Sequence, residues 1–302
     1  MISIVIRTLN EEKFLPECLA AIGRQKIDDQ FEVIVVDSGS TDRTLEIAHE
    51  FETRVVLIKK EEFTFGRSLN YGCEAANGEI IVLISAHCIP TSPDWLANLV
   101  DPIRDRRCAY TYGRQVARDG VSKYSEGMVY RKYFPKQSAI PQTGYFCNNA
   151  NSAISKNVWE QFRFDETLTG LEDMELAKRI THKSLRVGYV ADAGVEHIHE
   201  ENWRRIRIRY EREAIALEQI EPALSINLSY AIKLFFAALK ADLGNLKFSE
   251  YRLVTEAILY RFCQFYGSYR GSHISRLQIN KMKAEYFYPK TNAGIVKLGV
   301  DK

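Results

Sequence analysis

A histidine follows a buried strand at a position where α/β proteins bind ligands. Residues 80–84 form an apolar run that predicts a strand buried on both faces, and the run ends at Ser85-Ala86-His87. Ligands of open α/β sheets bind at the carboxyl ends of such strands, because the loops diverge there. His87 is therefore a candidate for chemistry. A structural histidine that bonds a neighbouring loop explains this segment equally well.

Two aspartates occupy comparable positions. Asp37 follows the apolar run 31–36 and opens the turn DSGSTD, whose hydroxyls and free backbone N–H groups before a helix suit a nucleotide. Capping of that helix explains the small polar residues of the turn, but it leaves Asp37 without a role. Asp173 begins a predicted helix at 173–181, where a carboxylate serves either as a general base or as a partner of the helix dipole.

Strands and helices alternate through the first hundred residues. Apolar runs predict strands at residues 2–6, 31–36, 55–58 and 79–84. Helical periodicity predicts helices at residues 14–22, 44–51, 68–76 and 95–103. Such alternation predicts an α/β fold with a doubly wound, mostly parallel, Rossmann-like sheet.

The character of the chain changes near residue 200. Short strands are predicted at 109–112, 187–190 and 195–199, and loops with short helices at 121–134, where no clean period is present. From residue 203 the pattern predicts long helices at 203–220, 228–243 and 250–266, and then a polar tail. We therefore predict one domain at 1–200 and an α-helical C-terminal region at 201–302.

The composition excludes several classes of protein. The 302 residues carry 41 basic and 39 acidic side chains, which argues against a nucleic-acid partner. Six cysteines without CxxC spacing, and no signal-peptide pattern at the start, favour the cytoplasm. No apolar stretch reaches the ~20 residues needed to span a bilayer. We expect a cytoplasmic protein, either soluble or peripheral on the inner face of the cell membrane.

Three motifs resemble the inverting family-2 glycosyltransferases of the GT-A fold. They are Thr8-Leu9-Asn10-Glu11, the DSGSTD turn with Val36 before it, and Leu171-Glu172-Asp173-Met174-Glu175-Leu176. The resemblance covers about residues 1–200 and implies a GT-A catalytic domain that uses a nucleotide-diphospho-sugar donor. Asp173 would then be the general base that deprotonates an acceptor hydroxyl.

The resemblance also implies which residues bind the donor. Residues 62–70 look like a donor-side segment of bacterial rhamnosyltransferases. The donor contacts expected are Thr8, Asn10, Glu11, Asp37, Ser38, Ser40, Arg67, Asn70, Ser85 and His87. Residues 146–155 are rich in Asn, Ala and Ser and are predicted to line a pocket, so Asn149 is a candidate acceptor contact together with Glu172.

The chain departs from the family at the metal motif. These enzymes usually carry Asp-x-Asp after the fourth strand, where this chain has Ser85-Ala86-His87. A Mg²⁺ site built on two carboxylates is therefore in doubt. His87, His197 and His199 offer imidazoles instead, which suit Mn²⁺ better than Mg²⁺. A structural role for the histidine pair, and direct binding of phosphate without a metal, are the alternatives.

The sequence thus predicts an inverting glycosyltransferase for bacterial surface polysaccharide, such as capsule or O-antigen. Its partners would be a nucleotide-sugar and a glycan or lipid-diphosphate-linked acceptor. The C-terminal helices could contact the acceptor, the membrane surface or a second copy in a homodimer. Because Asp-x-Asp is absent, the alternative is a non-catalytic nucleotide-sugar or glycan binding protein on a degenerate glycosyltransferase fold. A nucleotidyltransferase is less well supported, since no Gly-rich phosphate loop follows the first strand.

Overall fold

The protein is described here by a computed structural model that covers residues 1–247, 250–275, 278–279 and 286–287. The described residues contain eight strands: β1 (Ile2–Thr8), β2 (Phe31–Asp37), β3 (Arg54–Leu57), β4 (Ile80–Ser85), β5 (Cys88–Pro90), β6 (Tyr110–Val116), β7 (Asn151–Ser155) and β8 (Val187–His197). They also contain ten α-helices: α1 (Leu15–Gly23), α2 (Thr44–Glu50), α3 (Phe65–Ala75), α4 (Trp95–Arg104), α5 (Tyr124–Tyr133), α6 (Lys156–Phe162), α7 (Glu172–His182), α8 (Trp203–Ile220), α9 (Leu228–Gly244) and α10 (Leu253–Gly271).

The eight strands form one sheet in the order β3-β2-β1-β4-β7-β6-β8-β5. The first four strands of this order are parallel, and β6 is parallel to β8. β7 is antiparallel to both β4 and β6, and β5 is antiparallel to β8 at the edge. The predicted α/β fold is confirmed, with a sheet that becomes mixed after β4. Consequently the carboxyl ends of β1, β2, β4, β6 and β8 share one edge of the sheet with the amino end of β7.

Helices cover both faces of the sheet because adjacent strand residues point to opposite sides. On one face, α1 and α4 bury apolar side chains against Ile4 and Val82. On the other face, α3 and α7 pack against Val5 and Ile81. Trp95 of α4 is fully buried, and its Nε1 donates a hydrogen bond to Asn151 Oδ1 at 2.9 Å. The core thus holds the strand ends rigidly, as a functional site requires.

Two predicted segments differ from the prediction, and β5, β7 and α6 form where no strand or helix is predicted. Residues 124–133 form the helix α5 rather than loops with short helices, and two of its three buried side chains, Ser125 and Glu126, are polar. These polar positions interrupt the apolar period by which a helix is recognised. β8 is one strand of 11 residues rather than two short strands. Its middle, residues 191–194, consists of Ala, Asp, Ala and Gly, which are poor strand formers.

The predicted helices of the C-terminal region are confirmed at α8, α9 and α10. Asn202 and Asn227 cap α8 and α9, because each side chain accepts a hydrogen bond from the N–H three residues ahead. α10 packs closely on α8, and Gly267 allows it, since a Cβ there would collide with Arg207 O. None of the described helices combines the length and the apolarity needed to cross a bilayer. Most of the predicted polar tail lies outside the described residues. The division at residue 200 stays a prediction.

Candidate functional site

The predicted site residues converge on the edge of the sheet where the parallel strands end. Thr8 ends β1, Asp37 ends β2, Ser85 ends β4 and His197 ends β8. Asn149 lies two residues before β7, whose amino end is at the same edge. The edge therefore collects residues from sequence positions almost 190 apart, as expected for the ligand-binding side of an α/β sheet.

Two loops at this edge are hydrogen-bonded to each other along their length. Asn10 has a left-handed backbone with φ 56°, and its Oδ1 accepts the N–H of Thr41 at 2.8 Å. Its own N–H donates to Ser40 Oγ at 2.8 Å, and the N–H of Glu11 donates to Thr44 Oγ1 at 2.8 Å. The loops after β1 and β2 thus form one ordered surface, on which Asn10 and Thr41 are exposed.

The Asp37 side chain lies beneath this surface and binds the loops through hydrogen bonds rather than facing the solvent. Its carboxylate is fully buried and accepts hydrogen bonds from the N–H groups of Gly39 and Ser40 and from the hydroxyls of Thr8 and Ser40. Ser38 is also buried, and its hydroxyl donates to Thr8 O at 3.1 Å. The expected donor contacts of Thr8, Asp37 and Ser38 stay predictions; in the structure their side chains form hydrogen bonds within and between the two loops.

Arg67 and Asn70 are likewise engaged inside the protein. Arg67 forms an ion pair with Glu166 at 2.7 Å, which raises the pKa of the guanidinium. The Asn70 amide donates to Glu166 Oε1 and Phe164 O, and its oxygen accepts from Trp159 Nε1 and the N–H of Phe164. Asn70 is only 1% exposed and all of its hydrogen-bonding capacity is used inside the chain, while the donor contacts expected of Arg67 and Asn70 stay predictions.

Three histidine rings meet at the end of β8. The ring of His87 stacks on that of His197 with 5.3 Å between centroids, and the centroids of His197 and His199 are 4.2 Å apart. The pairing of β5 with β8 creates this arrangement, because Cys88 stands opposite His197. One ligand nitrogen from each ring lies within 4.8 Å of the other two. The predicted convergence of the three histidines is thus present in the structure.

Each ring is oriented through its Nδ1 atom. Nδ1 of His87 lies 2.8 Å from Glu11 Oε1, Nδ1 of His197 lies 2.7 Å from Gln115 Oε1, and Nδ1 of His199 lies 2.9 Å from Glu126 Oε1. All three partners are acceptors, so each Nδ1 carries a proton, and in the neutral form of each ring Nε2 has a free lone pair. Metal-binding histidines typically have such a second hydrogen bond to a carboxylate or carbonyl.

The electrostatics of the cluster favour a charged Glu126 carboxylate and a neutral His197 ring. Burial alone would raise the pKa of Glu126, but the charges and hydrogen bonds of His199 and Arg209 lower it to about 2. Burial and the nearby His199, His87 and Arg209 lower the pKa of His197 well below its ordinary value. Burial also opposes protonation of His87, but Glu11 outweighs it and raises the pKa of that ring. A neutral imidazole is the form that binds a metal.

The donor set fits a transition metal better than Mg²⁺. Three imidazole nitrogens are available, whereas Mg²⁺ prefers oxygen ligands. Glu126, His199 and Glu201 form a second group of closely spaced ligand atoms. Both carboxylates of that group also form ion pairs with Arg209, so the three-histidine group is the better candidate for a metal site. Ser85 supplies no charge at the position where the family's usual motif has a carboxylate.

Asp173 lies in the first turn of α7 and is 7% exposed. Its Oδ2 accepts the N–H of Asn149 and its Oδ1 accepts the N–H of Met174, both at 2.8 Å. Burial, and secondly the charge of Glu172, raise the pKa of Asp173 to about 7, although these two hydrogen bonds and Arg7 oppose the shift. A carboxylate with this pKa can accept a proton near neutral pH, as a general base must.

Glu172 and Asn149 flank the Asp173 carboxylate. Glu172 is 5% exposed, and its Oε1 accepts a hydrogen bond from Arg7 at 3.4 Å. The Asn149 oxygen accepts hydrogen bonds from the hydroxyls of Tyr110 and Ser152. The Asn149 Nδ2 atom is buried and has no hydrogen-bond partner in the described part of the chain. Asn149, whose N–H binds Asp173, thus carries a buried side-chain donor without a partner among the described residues.

Several residues of the site were not found from the sequence. Gln115 and Glu126 orient two histidines, and Arg209 balances the charge of Glu126 at 2.8 Å. No local pattern marks them, because their partners lie on other elements. Arg7 had a detectable signal: it is a charged residue near the carboxyl end of the apolar strand β1.

Comparisons with known proteins agree with this geometry. The sequence model of the family described as "Glycosyl transferase family 2" matches residues 3–162. The chain is 25% identical over 290 residues to the O-antigen chain rhamnosyltransferase RfbN of Salmonella typhimurium, and 92% of each chain is covered. It is 23% identical over 261 residues to the O-antigen chain rhamnosyltransferase WbaN of Salmonella anatum, with 82% of each chain covered.

Solved structures show the same fold. The mannosyltransferase PcManGT from Pyrobaculum calidifontis, in complex with GDP-Man and Mn²⁺, matches with a TM-score of 0.61 at 19% identity, over 96% of this chain and 88% of that chain. The glucosyl-3-phosphoglycerate synthase from Mycobacterium tuberculosis, in complex with Mn²⁺, UDP-Glc and phosphoglyceric acid, matches with a TM-score of 0.54 at 21% identity, over 76% and 82% of the two chains. The α/β sheet described above is thus of the GT-A type.

Proposed function

The chain belongs to glycosyl transferase family 2, and we propose that it transfers a sugar with inversion from a nucleotide-diphospho-sugar to a hydroxyl of a glycan or lipid-diphosphate-linked acceptor. The two rhamnosyltransferase relatives support a hexose or deoxyhexose, rhamnose among them, and a role in bacterial surface polysaccharide such as O-antigen or capsule. The reaction would then take place in the cytoplasm or at the inner face of the cell membrane, where nucleotide-sugars are available.

The observation that carries this proposal is the environment of Asp173. An inverting transfer needs one carboxylate within hydrogen-bond reach of the attacking hydroxyl. In the proposed step the acceptor oxygen attacks the anomeric carbon, and the acceptor proton passes to Asp173. The bond between that carbon and the diphosphate oxygen breaks, and its electron pair leaves with the diphosphate. The free Nδ2 of Asn149 and the carboxylate of Glu172 are proposed to orient the acceptor.

The three histidines are proposed to hold the diphosphate side of the donor. A divalent transition metal bound by their Nε2 atoms, Mn²⁺ rather than Mg²⁺, would neutralise the charge that develops on the departing diphosphate. Glu11, Gln115 and Glu126 would keep the rings in the required orientation. The alternative is direct binding of phosphate by the rings without a metal.

The nucleotide is proposed to lie on the joined loops after β1 and β2. Asn10 and Thr41 are exposed there, and Ser40 is half-buried. Thr8, Asp37 and Ser38 would contribute indirectly, because their hydrogen bonds keep the loops in place. The backbone N–H groups of such a surface suit a nucleotide or phosphate.

Asp173→Asn tests the proposed base. Positioned bases typically contribute ~10²–10⁴-fold, so we expect transfer to fall by at least about a hundredfold while nucleotide binding persists. A panel of UDP-, GDP-, TDP- and CMP-sugars is first screened for transfer, and binding of the matching nucleotide is then measured by calorimetry. Asp192→Asn, an exposed aspartate of β8, is the matched control and should leave transfer unchanged.

Two outcomes would contradict the proposal. Full transfer by Asp173→Asn would exclude Asp173 as the base. Binding of a nucleotide-sugar by the unmodified chain, without turnover on any acceptor, would instead favour the non-catalytic binding protein that the missing Asp-x-Asp motif suggests.

The proposed metal is tested by removing it and by altering its surroundings. We expect EDTA to abolish transfer and Mn²⁺ to restore it better than Mg²⁺. Glu126→Gln should weaken metal affinity about 10–100-fold, because it removes a carboxylate that orients His199. The measurement is calorimetric titration with Mn²⁺, and Glu160→Gln on the exposed face of α6 is the control. Undiminished transfer in EDTA would favour direct binding of phosphate.

A further inference from the structure

The two last helices of the described chain present an unusual amount of apolar surface. Among the described residues, eleven of the sixteen exposed large hydrophobic side chains lie between positions 224 and 266. On α9, only Ala231 and Asp242 are buried, although the helix is 17 residues long. Concentration of exposed apolar side chains in one region marks an interaction surface.

These side chains lie in stripes on two neighbouring helices. On α9 they are Leu228, Ile232, Phe236 and Leu243, spaced so that they fall on one side. On α10, the exposed side chains of Ile258, Phe262 and Tyr266 also fall on one side of the helix, and Leu259 lies beside them. Phe236 and Phe262 are 62% and 54% exposed. We refer to these eight side chains as the C-terminal apolar surface.

The C-terminal apolar surface is held in place by buried polar contacts. Arg261 of α10 donates to both carboxylate oxygens of Asp242 of α9 at 2.7 Å, and Ser125 of α5 donates to the same carboxylate. Near the other end, the N–H of Ile226 donates to Ser272 Oγ at 3.2 Å. The two helices therefore run antiparallel in a defined geometry.

The charges around this surface have one sign. Between residues 228 and 262, the exposed charged side chains of the described chain are Lys233, Lys240, Lys247 and Arg252. The carboxylates of the same stretch are less accessible: Asp242 is buried, and Glu250 and Glu256 are half-buried. On α9, Lys233 and Lys240 lie on the side of the helix next to the apolar stripe.

We propose that α9 and α10 bind the surface of an anionic lipid bilayer. A helix with apolar and aromatic residues on one side and lysines beside them lies in the interface between headgroups and acyl chains. Each lysine or arginine near an anionic surface adds electrostatic attraction, and Tyr266 supplies a ring that suits the interface. This inference rests on the helices alone and holds whatever sugar the protein transfers.

A second copy of the chain fits this surface less well. A two-fold dimer joins the same patch of both subunits. The positive charges of Lys233, Lys240, Lys247 and Arg252 would then lie close to the same charges of the second subunit. Among the described residues 228–262, no exposed carboxylate is present to neutralise them. An anionic bilayer satisfies both the apolar stripes and the positive charge, so it is the occupant that the surface favours.

Vesicle flotation of the full chain tests the proposal. We expect the protein to float with vesicles that contain phosphatidylglycerol, to bind pure phosphatidylcholine much more weakly, and to be released by high salt, which screens the charges. Phe236→Ser with Phe262→Ser should lower the partition coefficient about tenfold or more, since two exposed phenyl rings no longer insert. Lys233→Glu with Lys240→Glu should have a similar effect.

Matched variants control for composition and folding. Phe51→Ser removes a phenyl ring that is 42% exposed at the end of α2, and Lys136→Glu reverses an exposed lysine in a loop of the sheet domain. Both should bind vesicles as the unmodified chain does, and circular dichroism verifies that every variant is folded. Absence of binding to anionic vesicles overturns the proposal. So does a dimer, seen by sedimentation velocity, that the Phe236 and Phe262 substitutions dissociate.

Discussion

At the scale of the residue, the pKa of Asp173 depends on its burial and on neighbouring residues that have opposite effects. Burial raises the pKa of Asp173, and the negative charge of Glu172 raises it further. The N–H groups of Asn149 and Met174 donate to the carboxylate and stabilise its charged form. Because the resulting pKa is about 7, small changes beside Asp173 alter the fraction of this carboxyl group that is deprotonated at physiological pH.

The pKa of Asp173 predicts how kcat/KM depends on pH and which substitution should shift that dependence. The base is active when deprotonated, so we expect kcat/KM to rise with pH through about 7 and to level off above it. Glu172→Gln removes a negative charge, which lowers the pKa of Asp173, so the rise should occur at lower pH. The pH dependence of kcat/KM measures both. Glu175→Gln, three positions further along the same helix and paired with Arg179, should leave the profile in place. An unshifted profile in Glu172→Gln would refute the coupling.

Single residues could be predicted where their neighbours in sequence define them. The sequence singled out Asp173 and the three histidines, and the structure brings the histidines together and buries Asp173. It did not reveal that Asp37 and Asn70 are saturated by internal hydrogen bonds, because their partners lie on other segments. Whether a polar side chain faces a ligand or its own protein depends on contacts that local sequence does not contain.

At the scale of the element, one buried ion pair joins three helices. Asp242 of α9 and Arg261 of α10 are 1% and 7% exposed, and Ser125 of α5 donates to the same carboxylate at 2.6 Å. α9 buries little apolar surface of its own. Its attachment therefore depends on this polar contact more than on hydrophobic packing.

Removing one partner of the pair should be costly. Asp242→Ala leaves the Arg261 guanidinium buried without its counter-charge, and we expect a loss of about 3–5 kcal/mol in the free energy of unfolding. Adding Arg261→Met should recover part of that loss, since no buried charge remains. Urea unfolding of the single and double variants measures this. Glu46→Ala, in an exposed pair with Arg43, is the control and should have little effect. Additive losses in the double variant would contradict this account.

Elements were predicted best where the apolar period was undisturbed. The bounds predicted for α8, residues 203–220, coincide with those of the structure, since its inward side chains follow a regular spacing. α5 was missed because Ser125 and Glu126 occupy inward positions. Ser125 binds Asp242 of α9, and Glu126 binds His199. The helix that the sequence pattern did not reveal therefore connects the candidate site to the C-terminal helices.

At the scale of the whole molecule, the fold class followed from the alternation of strands and helices. A βα repeat with right-handed connections leaves few topologies, so the parallel part of the sheet was predictable. The position of β7 was not, because it is antiparallel, short and preceded by a long irregular segment. The segment before its amino end places Asn149 beside Asp173, so the surroundings of Asp173 depend on the part of the topology that could not be predicted from the sequence.

The anchoring of the histidine rings also bears on how the protein folds and unfolds. The three hydrogen bonds that orient the rings join residues 76, 82 and 73 positions apart. Contacts of such separation form only when most of the sheet has assembled, because each closes a long loop at an entropic cost. A ligand of the three histidine rings therefore binds to the folded chain, because the site is not assembled before folding. Its binding would slow unfolding without speeding folding, so that the lifetime of the folded chain would depend on how fully the three-histidine group is occupied.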